Sequence, residues 1–100
     1  MTKLTNNQKK FLRSKGHSLK PVVMIGQHGL SEAVLSELES SLETHELLKI
    51  KVRGDDREDK QLVIDKIVKA THAHLVQVIG SVMVIYRAFD KDPQIILPRK

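Results

Sequence analysis

Val22-Val23-Met24-Ile25-Gly26-Gln27-His28-Gly29-Leu30-Ser31-Glu32-Ala33-Val34 runs an apolar strand into a glycine-bracketed turn and straight into a helix start. Pro21 and Gly26 bound a short strand-type run over 22–25. Ser31 suits an N-cap and Glu32 the positive end of a helix dipole. Val34, Leu35, Leu38 and Leu42 recur at helical spacing, which predicts a helix over about 31–45. Two glycines three residues apart allow positive φ and a close approach of ligand to main chain, beside the free N–H groups of the helix's first turn. An anion is the guest such a turn favours.

Working outward, Thr5 with Gln8 three residues later forms a capping-box pattern and Gly16 is a suitable stop, so a first helix covers 5–16. Its apolar groups, Leu4, Phe11 and Leu12, make a narrow stripe, which predicts a helix at the edge of the domain. Leu47 to Arg53 alternates: Leu48, Ile50 and Val52 face one way, Lys49, Lys51 and Arg53 the other, as in a half-exposed strand. Gly54-Asp55-Asp56 breaks that strand, and Leu62, Val63, Ile67 and Ala70 mark a third helix to about Thr71. His74 to Ala88 reads as two strands joined at Gly80-Ser81, a pair suited to a type II′ hairpin. Residues 90–100 form an extended tail with a basic end, Arg99-Lys100.

The expected architecture is therefore α/β (α+β), two-layer, in the order α-β-α-β-α-β-β. Its four-stranded mixed sheet has a parallel first pair with right-handed crossover and an antiparallel last pair. One hundred residues suit a single domain, with a core over about 4–89 and the tail beyond it. Without a secretory pattern, a membrane-length apolar run or any cysteine, the expectation is a cytoplasmic, soluble monomer without disulfides.

The net charge of +5 is unevenly distributed. Residues 1–20 hold Lys3, Lys9, Lys10, Arg13, Lys15 and Lys20 without an acid, whereas 31–46 hold Glu32, Glu37, Glu39, Glu43 and Glu46 without a cation. A basic face of that kind attracts polyanions over a Debye length of about 10 Å, and nucleic acid is the commonest. Lys49, Lys51 and Arg53 add a row with steps of about 6.6 Å, comparable to the spacing of phosphates along one strand. The alternative for that row is a solvated sheet face, or an edge that lysine protects from aggregation.

A G-x-x-G loop is the device with which KH domains clamp a nucleic-acid backbone, although there it joins two helices. The dinucleotide and P-loop patterns fail for want of G-x-G-x-x-G and of Gly-Lys-Ser/Thr. His17, His28, His45, His72 and His74 lack ligand spacing, so no metal and no cofactor is expected; His28 alone lies in the loop, where it can donate to a phosphate or stack on a base. Asp55, Asp56, Glu58 and Asp59 read as caps and dipole partners of the third helix rather than as ion ligands. No catalytic triad, H-E-x-x-H or opposed carboxylate pair appears, so no catalytic residues and no enzyme are expected.

Four segments in order, Gln8 to Arg13, Leu19 to Ser31, His45 to Val52, and Gln77 to Gly80 with Tyr86-Arg87, resemble the CRM domain family (chloroplast RNA splicing and ribosome maturation), in particular its stand-alone bacterial YhbY-type members. The resemblance covers residues 4–89. It implies a fold like the C-terminal domain of bacterial initiation factor three. It further implies RNA binding through the G-x-x-G loop and adjacent basic surface, and association with precursor large ribosomal subunits. Gln27 stands where the family is often basic. The expected RNA-binding residues are Gly26, Gln27, His28, Gly29, Lys9, Lys10, Arg13, Lys20, Lys49, Lys51 and Arg53, with large-subunit ribosomal RNA as partner, no specific DNA partner and no membrane. The competing expectation is a protein-interaction adaptor with incidental RNA contact.

Overall fold

The computed structural model describes residues 4–26, 30–53 and 57–98. The elements run α1 (Asn6–Gly16), β1 (Val23–Ile25), α2 (Glu32–Thr44), β2 (Leu47–Val52), α3 (Arg57–Thr71), β3 (His74–Ile79) and β4 (Val82–Tyr86). The strands make one sheet in the order β1-β2-β4-β3. β1 is parallel to β2, and β4 is antiparallel to both β2 and β3.

Local chemistry sets the ends of these elements. Thr5 and Gln8 exchange a complete capping box, with Gln8 N–H on Thr5 Oγ1 at 3.1 Å and Thr5 N–H on Gln8 Oε1 at 2.9 Å. Ser31 Oγ accepts from Val34 N–H at 3.2 Å and starts α2. Gly80 takes φ 56° while Ser81 stays at negative φ, as a II′ turn requires. α3 ends on a left-handed residue that is not glycine: His72 sits at φ 59°. The Asp55, Asp56, Glu58 and Asp59 caps expected for α3 lie outside the described residues and side chains.

The sheet buries its two faces differently. On one, Val23, Ile25, Leu48, Ile50, Val52, Met83 and Ile85 pack against Leu38 and Leu42 of α2 and Ile64 and Ile67 of α3. On the other, Leu47, Val76, Val84 and Tyr86 meet Leu12 of α1, with Leu19 and with Ile95 and Leu97 of the tail packed around them. The expectation of α1 at the domain's edge is thus corrected: it lies across the second face. One inserted side chain suffices, because Leu12 is wholly buried and the backbone approaches closely at Gly16. A Cβ at Gly16 would stand 3.3 Å from Val84 Cγ1. Gly16 keeps negative φ, so its use is this close approach rather than a left-handed helix stop.

Candidate nucleic-acid interface

Because β1 and β2 are parallel and β3 and β4 form a hairpin, the chain leaves β1, β2 and β3 at the same end of the sheet. Arg53 N–H donates to Ile25 C=O at 2.9 Å and Val52 N–H to Ser81 C=O at 2.7 Å, which ties the three exits together. α2 begins here, its Ser31 cap taking the Val34 N–H; a helix start at this end of the strands is the place where α/β sheets present backbone donors to ligands.

Gly26 opens the loop. It keeps negative φ, so the freedom that glycine allows is not used at this position, and a Cβ placed on it meets nothing within 4 Å among the described residues. Among the described residues, neither its φ nor the packing around it calls for glycine here, in contrast to Gly16. Gln27, His28 and Gly29 lie outside the described residues.

The predicted row of cations does reach this end. Met24 pairs with Lys51 and Ile25 with Val52, so Arg53 follows directly beside Gly26. Lys49 and Lys51 are half-buried on the sheet's second face, cross-strand from Val84 and Val82. β2 is an interior strand, so edge protection does not explain its lysines.

Lys9, Lys10 and Arg13 are exposed on α1, over the same face of the sheet, and Lys20 is exposed in the connection to β1. The N-terminal half of α1 lies toward the other end of the sheet, where Lys9 is close enough to act on His74. Burial is the main cause that lowers the His74 pKa below 6.5, and the Lys9 charge is a lesser one. At its C-terminal end α1 places Gly16 over Val84, the partner of Lys49. One face thus collects Lys49, Lys51 and the α1 cations, and the loop adjoins it; the cations form two groups rather than one line. Exposed Glu32, Glu37 and Glu43 belong to α2, on the opposite face. The charge segregation along the chain is therefore segregation across the sheet.

Two polar devices went unforeseen. Glu46 is 3% exposed and its carboxylate accepts three backbone N–H groups: Gln94 at 2.6 Å and Ile95 at 2.7 Å of the tail on Oε1, and Phe89, just before the tail, at 3.0 Å on Oε2. A buried carboxylate needs such donors, and here they fold the tail back against α1, where Gln8 Nε2 donates to Pro98 C=O at 2.8 Å. Arg87 Nη1 donates to Thr71 C=O at 2.8 Å and pairs with Glu39 Oε1 at 3.0 Å. Arg87 therefore joins the end of α3 to α2, away from the basic face. The only sequence signal for the first device is an acid at the start of an apolar strand.

Residues 4–87 match the CRS1 / YhbY (CRM) domain model. The chain belongs to the CRM domain family. It is 52% identical over 100 residues, all of both chains, to a Haemophilus influenzae protein named "RNA-binding protein". It is 39% identical over 95 residues to the Bacillus subtilis "Probable RNA-binding protein YqeI", covering 95% of this chain and 99% of that one. The solution structure of SAV1595 from Staphylococcus aureus is similar to this CRM domain with a TM-score of 0.83 at 38% identity, over 96% of this chain and 100% of that one. No helix among the described residues of this family member is long and apolar enough to cross a membrane.

Proposed function

We propose that this CRM protein is a non-enzymatic RNA-binding module. It grips ribose-phosphate backbone with the loop that begins at Gly26 and with the cations Lys49, Lys51 and Arg53, extended by Lys9, Lys10, Arg13 and Lys20. The observation that carries the reading is the glycine at position 26, which nothing among the described residues demands, set directly beside Arg53 at the end of the lysine row. Glycine leaves room for a ligand to reach the main chain, and the neighbouring cations choose an anionic one. Binding is driven by release of counterions from the RNA, with backbone N–H groups and the α2 N-terminus holding register. The names of the relatives point the same way. The family resemblance implies the target, ribosomal RNA of the precursor large subunit, and the role, assistance in its maturation; the protein acts as a cytoplasmic monomer.

RNA affinity measured against salt tests this. Gly26→Asp adds an anion where a Cβ has open space, so the fold should persist while affinity falls by roughly ten-fold. Lys49→Glu with Lys51→Glu should weaken binding further and flatten the salt dependence by about two in slope. Unchanged affinity in both folded variants refutes the proposal. Sedimentation of the protein with ribosomal particles after nuclease treatment separates RNA binding from a protein adaptor: retention there, with no affinity for purified RNA at low salt, establishes the adaptor.

A further inference from the structure

Beyond the cations, the second face of the sheet carries an uncovered apolar strip. Met24, Lys51, Val82 and Ile79 are register neighbours across β1, β2, β4 and β3 and stand on one face in one row. α1 and the tail cover the opposite end of this face, so Met24 is 56% and Ile79 61% exposed, and Val22, beside Lys49 in the next row, is 52% exposed. Large aliphatic side chains gathered beside a binding loop mark a contact surface. The row crosses four strands, about 14 Å.

We infer that this strip receives the bases of unpaired RNA, so that the protein selects single-stranded over duplex RNA. The inference rests on the RNA-binding reading of the adjacent loop and names the form of RNA. A duplex presents phosphates and 2′-hydroxyls and keeps its base faces stacked inside, so it offers nothing apolar to Met24 and Ile79. An unpaired strand offers both chemistries at once: phosphates for Lys49, Lys51 and Arg53, and base faces for Met24, Val82 and Ile79. A four-stranded sheet of this width accommodates two or three splayed bases. Aliphatic rather than aromatic contacts cover a base without selecting its identity, so the strip discriminates strandedness rather than sequence. A second copy of the chain is the poorer occupant, because a two-fold contact through this face turns the Lys49, Lys51 and α1 cations of one copy toward the same cationic face of its mate.

The test uses the full chain and three probes of 12 nucleotides or base pairs: an unpaired RNA, a blunt RNA duplex, and an abasic ribose-phosphate strand. Met24→Ser with Ile79→Ser removes exposed groups, and equal thermal midpoints verify the fold. The wild-type protein should prefer the unpaired RNA to the duplex. The double serine variant should lose about ten-fold on unpaired RNA and nothing on the abasic strand. Its slope of log affinity against log salt should stay that of the wild type, since no phosphate contact is lost. Equal wild-type affinity for duplex and unpaired RNA overturns the inference, as does an undiminished affinity of the serine variant. A wild-type dimer in sedimentation that the serine variant dissolves also overturns it, by giving the strip to a second copy. In those cases a loss of affinity in the Lys49→Glu, Lys51→Glu variant still upholds RNA binding itself; failure of the wild type to bind any of the three probes removes both readings.

Discussion

The two faces of one sheet do different work. The first is closed: α2 and α3 cover it, and its side chains from Val23 to Ile85 are buried together without a charge among them. The second is covered only at one end by α1 and the tail, and its other end mixes half-buried lysines with exposed Met24 and Ile79. Both faces alternate from the same strands, so the difference comes from what the chain folds over them. Stability is concentrated where cover is complete, and ligand chemistry is available where the cover stops.

The sharpest way to break that comparison is to cut each side and measure unfolding in denaturant. Ile50→Ala on the closed face should cost about 3 kcal/mol, because a fully buried aliphatic leaves a cavity between sheet and helices. A loss below about 1 kcal/mol would show that the closed face does not dominate stability. Glu46→Ala acts on the partly covered face and should cost about 2 kcal/mol, since the N–H groups of Phe89, Gln94 and Ile95 lose their acceptor. Hydrogen exchange at Phe89, Gln94 and Ile95 should rise well above that of the α2 amides, and Glu46→Gln, which keeps an oxygen for Gln94 and Ile95, should lose less. Uniformly faster exchange through α2 would mean instead that the two faces unfold as one.

The smallest expected effect concerns pH. His74 stacks on Tyr86 at 6.3 Å between ring centroids, and its pKa in the folded protein lies below 6.5 chiefly because burial disfavours the imidazolium, with Lys9 a lesser cause. The unfolded chain therefore binds the proton first as pH falls. The stabilising contribution is complete above pH 6.5 and is lost as pH drops through the lowered folded value. His74→Gln should flatten the stability profile between pH 7 and 5, and an identical profile would remove His74 from the account. Tyr86 is shifted the other way, upward, by burial and then by Glu46, so its contribution is lost above pH 10.

Most of the elements were legible because short-range chemistry writes them. Thr5 with Gln8, Ser31 before Val34, and Gly80-Ser81 each occupy the position that their spacing implies. The lysine row was legible for the same reason, since strand alternation has a fixed period of two. The cover on the second face was not. Its one trace is the apolar run Val82-Met83-Val84-Ile85-Tyr86, too continuous for a strand with a wet face. Such a run states that both sides are buried but not by what. Arg87 and Glu46 were illegible because their partners stand far away in sequence: Thr71 and Glu39 for one, Phe89, Gln94 and Ile95 for the other.

By itself the sequence determined the elements, the hairpin and the glycine-bracketed loop, which depend on neighbours a few residues apart, together with the segregation of charge along the chain and the parallel first pair, which the strand-helix-strand order implies. Tertiary structure alone decided that β4 sits inside the sheet between β2 and β3, that α1 and the tail share a face with Lys49 and Lys51, and that Gly26 adjoins Arg53. Those outcomes depend on which buried surfaces complement one another across the fold. Leu12 and Gly16 find Val84, and Glu46 finds the tail amides, only once the sheet has formed.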